Sequence, residues 1–193
     1  RLNYSHGKLL YCVLNKYLNR KTLKKSSKIT ILETGTARGF SSIIMSKVLI
    51  ENKVNGQIIT IDCIPHNQKI LWNCIDDFQG PKTRAELLEK WTKELSNITF
   101  IQGWTRSTIK KIGLSRINFA FLDAQHTKED VLEEFRFIND RQAKGDIIFF
   151  DDVTPNLFQG VCDAVNEIEK NYQYKIKRLF FSKDRSYAIA EKF

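Results

Sequence analysis

The sequence predicts an α/β fold, with one mostly parallel seven-stranded sheet, helices on both faces and an antiparallel hairpin at its end. Three observations carry that prediction. Short β-branched apolar runs alternate with segments of helical periodicity along the whole chain. The first such run, Ile29-Thr-Ile-Leu-Glu33-Thr, meets a loop holding Gly35 and Gly39 and passes straight into a helix-forming stretch. The runs at 117–123 and 146–152 are nearly uninterrupted, as strands covered on both faces must be. With 193 residues, 42% of them apolar and 11% aromatic, the chain is large enough for one domain with a sizeable core. Residues 1–28 are expected as an amphipathic helix and basic linker leading into an α/β domain over 29–193.

Taken in order, residues 3–20 put Leu9, Leu10, Val13, Leu14, Tyr17 and Leu18 on one helical face. That face can cover the sheet, the mouth of a site or another subunit. Lys21 to Lys28, with Ser26-Ser27, reads as a polar connection. Beyond the glycine loop, Ser42 to Glu51 carries Ile43, Ile44, Val48 and Leu49, Asn55-Gly56 turns the chain, and Gln57 to Asp62 is the second strand. Residues 63–81 are irregular and form either part of a substrate pocket or a packed aromatic connection. Thr83 to Leu95 reads as one amphipathic helix, through Leu87, Leu88, Trp91 and Leu95, and leads to a third strand at 98–103. Between the fourth and fifth strands, Thr127 caps a helix with Asp130 at its third position. A helix over 156–170 and a hairpin of 174–181 with 187–190 complete the chain.

The net charge is +9, but its placement matters more than its size. Residues 1–28 hold eight Lys/Arg and no acid, residues 171–193 hold six against two, and the body between holds seventeen against twenty. A slightly acidic body argues against nucleic acid as partner. The basic ends read as solvated edges or as contacts to a partner, including a second copy of the chain. Four cysteines, at 12, 63, 74 and 162, show no C-x-x-C spacing and sit in apolar segments, so all are expected as buried free thiols in a reducing compartment, the cytoplasm. No apolar run reaches membrane-spanning length, and Leu2 to Leu18 is broken by polar residues at helical spacing, unlike a signal peptide.

The glycine loop carries the first chemical signal. A pyrophosphate fingerprint would read G-x-G-x-x-G, whereas Ala37 stands at the middle glycine position, which argues against a dinucleotide. The pattern Glu33-x-Gly35-x-x-x-Gly39 resembles motif I of class I S-adenosylmethionine methyltransferases, and Glu33 suits a cationic ligand. Asp62 ends the second strand about twenty residues further on, where it can accept both ribose hydroxyls of an adenosine or stand as a solvated turn carboxylate. Trp104, after Gly103, either lies flat on an adenine or packs at a rim.

Glu33, Asp62, Asp123 and the pair Asp151-Asp152 all fall at carboxyl ends of strands, which in a doubly wound sheet share one rim. Carboxylates from neighbouring strand ends repel unless a cation sits among them. Mg²⁺ suits an all-oxygen set, while Zn²⁺ would want histidine or thiolate ligands that the local spacing does not supply. Successive side chains on a strand point to opposite faces, so Asp151 and Asp152 can share an ion only where the strand has ended, and Thr154-Pro155 makes a turn there plausible. His126, three residues after Asp123, is either a general base over the same rim or an exposed histidine at a helix start.

The ordered series Glu33-x-Gly35-x-x-x-Gly39-x-Ser41, Phe100-Ile-Gln-Gly103-Trp104, Asp123-x-x-His126 and Asp151-Asp152 followed by Gly160-Val-Cys-Asp-Ala-Val165 resembles the macrocin O-methyltransferase (TylF-like) and cephalosporin-hydroxylase-like methyltransferases, of the methyltransferase domain 24 type. The resemblance spans roughly residues 29–170, and the chain is short at its N-terminus, where such relatives carry substrate-covering elements. It implies a Rossmann-like class I methyltransferase fold and S-adenosylmethionine as cofactor, bound by Glu33, Gly35, Thr36, Gly39, Ser41, Asp62, Gly103, Trp104 and Asp123. It further implies Mg²⁺ on Asp123, Asp151 and Asp152, with His126 as catalytic base. The reaction expected is O-methylation of a small sugar-containing or polyhydroxylated substrate. The rivals are an RNA methyltransferase, which the basic termini favour and the lack of an N-P-P-Y-like motif after the fourth strand opposes, and a non-catalytic S-adenosylmethionine-binding protein.

Overall fold

The structure, a computed structural model, describes residues 4–20, 28–182 and 184–193. Linker residues 21–27 and the expected helix residue Asn3 lie outside them. The elements in chain order are α1 (Tyr4–Leu18), β1 (Ile29–Thr34), α2 (Phe40–Glu51), β2 (Gly56–Asp62), α3 (Arg84–Leu88), α4 (Thr92–Leu95), β3 (Ile98–Gln102), α5 (Thr105–Thr108), β4 (Phe119–Leu122), α6 (Lys128–Asn139), β5 (Ile147–Phe150), α7 (Gln159–Asn171), β6 (Tyr174–Ser182) and β7 (Arg185–Lys192).

They build a seven-stranded sheet in the order β3-β2-β1-β4-β5-β7-β6. The first five strands are parallel, and β7 runs antiparallel to both β5 and β6. Thr34 pairs with Ile61 on one side and Leu122 on the other, and Leu122 pairs with Phe150, so the chain leaves β1, β2, β4 and β5 along one rim. The strand order reverses between β1 and β4, which opens a crevice at that rim.

The alternation of strand side chains divides the core into two layers. Ile31, Phe119, Phe121, Phe149 and Tyr187 face α1 and α2, where Leu10, Leu14, Met45 and Leu49 meet them. Leu32, Ala120, Leu122, Ile148 and Phe150 face α6 and α7, against Val131, Phe135, Val165 and Ile168. Each large side chain withdrawn from water in this way contributes about 1.5–3 kcal/mol. Helix α1 is also fastened by polar contacts. Tyr17 donates its hydroxyl to Asp146 Oδ1 at 3.0 Å, and Arg20 grips Glu191 with two bonds of 3.0 and 2.8 Å while also donating to the Gly145 carbonyl at 2.8 Å.

Three expectations need correction. The segment 83–95 is not one helix but two short ones broken at Trp91, whose φ of −101° and ψ of 37° are not helical. Thr83 and Glu86 form a capping box that starts α3 and seats Leu88 beside Gly39, and the break then brings the Glu94 carbonyl to the Ser46 hydroxyl at 2.7 Å. The helix expected from residue 156 begins at Gln159, because Asn156 adopts a left-handed φ of 68° in the turn after β5. Of the four free cysteines only Cys162 is buried; Cys12 and Cys63 are exposed and Cys74 is half-buried. Cys12 lies between Leu10 and Leu14 in sequence yet on the outer side of α1, which local hydropathy does not distinguish.

One buried acid sits in the layer between β1 and α6. Glu134 accepts the Thr34 hydroxyl at 2.8 Å, and burial pushes its pKa up to about 8. An unfolded glutamate titrates near 4.3, so between these values the native state holds a proton that the unfolded chain has lost. Its contribution is fully present below the lower value and is lost as pH rises through the higher one. Glu134→Gln, which mimics the protonated acid, should therefore leave Tm nearly unchanged at pH 4.5 and raise it progressively relative to the parent up to pH 8, as followed by thermal melts across that range.

Candidate active site

The loop after β1 is shaped by backbone crowding. Gly35 has a φ of 85°, and a Cβ there would lie 1.9 Å from the carbonyl oxygen of Asp123. Only glycine lets the exits of β1 and β4 come this close. Ala37 follows in a left-handed turn and donates its N–H to Asp62 Oδ2 at 2.6 Å, while Ile64 N–H donates to Asp62 Oδ1 at 2.7 Å. Buried Arg84 donates to the Ala37 carbonyl at 2.5 Å and pairs with Asp62 at 3.5 Å. The acid at the end of β2 thus holds the loop that follows β1.

Glu33 is fully buried beneath that loop, where its two oxygens accept the hydroxyls of Ser41 and Ser42. Burial raises its pKa. It lines neither of the clefts described next, and Gly39, whose Cβ would press on Leu88, lines neither as well. Thr36 is buried against the Thr60 hydroxyl.

Two clefts open at the rim. One, of about 210 Å³, lies among Asp62, Ile64, Trp104 and Gln125; the other, of about 300 Å³, lies among Thr36, Ser41, His6, Asp151, Asp152 and Arg185. Both are bounded by Gly35, Ala37 and Asp123, so a group held in one meets a group held in the other at that boundary. Trp104 keeps 62% of its surface exposed, and Gly103 secures its turn by donating to the Asp62 carbonyl at 2.8 Å.

The acidic pair lies beyond the end of β5. Asp152 adopts a left-handed φ of 53°, which cancels the alternation of the strand and leaves both carboxylates at the rim. Arg185 Nη1 reaches Asp151 at 3.2 Å and Asp152 at 2.9 Å. His6 Nδ1 lies 2.7 Å from Asp151, and His126 Nε2 lies 3.1 Å from Asp152. Burial and then the neighbouring charges of Asp151 and Asp152 push Asp123 well above the carboxylate range. Burial and Asp151 raise Asp152 as well. Burial also opposes ionisation of Asp151, but the hydrogen bond and charge of His6, with Arg185, hold it below its ordinary value. Among the described residues no arginine or lysine pairs with Asp123.

Asp123, Asp151 and Asp152 were expected to meet as an all-oxygen set, and the arrangement is different. Two groups have ligand atoms all within 4.8 Å of one another: His6, Asp123 and Asp151, and Asp123, His126 and Asp152. Each joins two carboxylates to an imidazole, a donor set that could hold a divalent cation and is not restricted to hard, oxygen-only ions. His6 reaches its group from a helix more than a hundred residues away in sequence, whereas His126 lies three residues after Asp123. His126 sits in the loop before α6, its ring 4.4 Å from that of Phe158, and it borders a cavity of about 10 Å³ rather than either cleft.

Three residues of the site carry little sequence signal. His6 shares the apolar face of α1 with Leu10 and Tyr17, a position that could have betrayed it. Arg185, at the start of β7, and Arg84, just after a cap, had no local sign of their partners.

Residues 32–153 match the family model described as Methyltransferase domain. No curated protein matches the chain significantly. Its fold is similar to that of the O-methyltransferase TomG from Streptomyces achromogenes, involved in tomaymycin synthesis and solved with S-adenosylmethionine, at 19% identity and a TM-score of 0.68, covering 100% of this chain and 81% of that one. It is likewise similar to an O-methyltransferase from Bacillus cereus solved with S-adenosylhomocysteine, at 17% identity and a TM-score of 0.68, covering 100% and 83%.

The crowding at Gly35 can be separated from the cost of its positive φ. Gly80 has a comparable φ of 87° with nothing within 4 Å of an added Cβ. Gly80→Ala should cost about 1 kcal/mol, and Gly35→Ala at least twice that, visible as a Tm lowered several degrees further in parallel melts.

Proposed function

The chain belongs to the methyltransferase domain family, and from that premise we propose that it is an S-adenosylmethionine-dependent O-methyltransferase acting on a hydroxyl of a sugar or other small polyhydroxylated metabolite, as its resemblance to the TylF-like family implies. The observation that carries this reading is the pair of clefts meeting at Gly35, Ala37 and Asp123. S-adenosylmethionine, when bound, supplies an electrophilic methyl group on a sulfonium.

In the smaller cleft Asp62 would hold the cofactor's ribose through the lone pairs its two backbone donors leave, and Trp104 would offer a flat face to its adenine. Gly35 and Ala37 keep the wall between the clefts low. The larger cleft would hold the acceptor hydroxyl, and the residues that bound both clefts, Asp123 among them, would contribute mainly by alignment. A divalent ion, Mg²⁺ in the first place, would be held by Asp123 with either Asp151 and His6 or Asp152 and His126, and when bound would lower the pKa of the acceptor hydroxyl. His126 is the base. With Nε2–H on Asp152, its Nδ1 is the atom that takes the proton, and Asp152 orients the ring and stabilises the imidazolium. His6 supports a second assignment of that role, because it lines the larger cleft directly and is held by Asp151.

Asp123→Asn should abolish turnover supported by the ion while calorimetry still detects binding of S-adenosylhomocysteine. His126→Ala should lower kcat by about 10²–10⁴-fold with that affinity unchanged. A full rate in His126→Ala together with a comparable loss in His6→Ala would transfer the base to α1.

A further inference from the structure

Beside the acid that ends β2 stands a cation almost wholly withdrawn from water. Arg84 is 2% exposed, its Nη2 lies 3.5 Å from Asp62 Oδ2, and no other arginine or lysine pairs with Asp62 among the described residues. Its Nε donates to the Ala37 carbonyl at 2.5 Å, while the Ala37 N–H donates to Asp62 Oδ2 at 2.6 Å. Arg84, Ala37 and Asp62 thus form a closed circuit built on the planar fork of a guanidinium, which the point charge of a lysine does not reproduce. Nη2 has no hydrogen-bond partner among the described residues. A buried donor left unmade is costly, so stability alone does not account for an arginine at this position.

The irregular segment after β2 covers it. The Trp72 ring lies 5.7 Å from the guanidinium carbon, its indole N–H donates to the Lys82 carbonyl at 2.7 Å, and the backbones of Ile70 and Lys82 bond each other at 3.1 Å. Asp62 lines the smaller cleft and Arg84 does not. A carboxylate accepts two vicinal hydroxyls only while both its oxygens keep their directions, and a site built to bond a hydroxyl rejects a ligand that lacks it. We propose that Arg84 is a positioning residue that acts through Asp62 to make the smaller cleft select a complete ribose diol, with the 70–82 segment as its cover. The identity of the cofactor rests on the transferase reading above, and the role of Arg84 rests on these contacts.

The test uses the full chain and calorimetry with S-adenosylhomocysteine and its 2′-deoxyribose analogue. The parent chain should bind the first at least about tenfold more tightly. Arg84→Lys and Arg84→Met should each weaken S-adenosylhomocysteine by about tenfold and leave the deoxy analogue within about twofold, so that the preference collapses. Trp72→Leu, which uncovers the arginine without replacing it, should lower the preference in the same direction and keeps the test open if the Arg84 variants do not fold. Asp62→Asn should also remove the preference, and Arg84→Lys added to it should change the preference no further. Equal weakening of the two probes, as a merely structural role would produce, overturns the proposal. So does a preference that survives these variants, or a further loss in the double variant. Failure of S-adenosylhomocysteine to bind the parent chain would overturn the transferase reading and this inference with it, whereas binding without a preference for the diol would overturn only the role of Arg84.

Discussion

Three carboxylates are held where the sheet ends and solvent screening is weak, and each element that reaches this edge brings something to offset them. Helix α1 brings His6 to Asp151, strand β7 brings Arg185 to Asp151 and Asp152, and the loop before α6 brings His126 to Asp152. Asp123 pairs with no arginine or lysine among the described residues, and burial first, then the charges of Asp151 and Asp152, raise its pKa. The N-terminal helix and the C-terminal hairpin are therefore bound up with the chemistry of the rim. Without them the Asp151-Asp152 pair would be two like charges with little to keep both ionised.

The glycine loop shows how a motif divides its labour. Glu33 and Gly39 hold the loop from below, one through two serine hydroxyls and the other by making room for Leu88. Gly35 admits the backbone of Asp123, and Asp62 fixes Ala37. Several residues that read as ligand-facing in one dimension thus set the geometry of the residues that do face the clefts.

Much of this was legible in the sequence, for definite physical reasons. Strands covered on both faces must be continuously apolar, which placed β4 and β5, and a parallel sheet aligns its strand ends, which placed Asp62, Asp123 and the Asp151-Asp152 pair on one rim. The turn that Thr154-Pro155 suggested is present as the left-handed Asp152. What could not be read were partners joined through the fold. Arg84 finds Asp62, Arg185 finds the acidic pair, and His6 finds Asp151 only once the sheet has assembled, since no local spacing encodes those contacts. The break at Trp91 escaped for a related reason: apolar periodicity runs through it, and only the competing demands of Gly39 and Ser46 on either side bend the chain.

The clasp that joins Arg20 to Glu191 and to the carbonyl of Gly145 has a bearing on biogenesis. Helix α1 is translated well before β5 and β7, to which its polar contacts fasten it. Until the ribosome has delivered the hairpin, the apolar stripe of Leu10, Leu14 and Tyr17 has no finished surface to settle on. The nascent helix must therefore be kept from other company until that hairpin has followed it out of the ribosome.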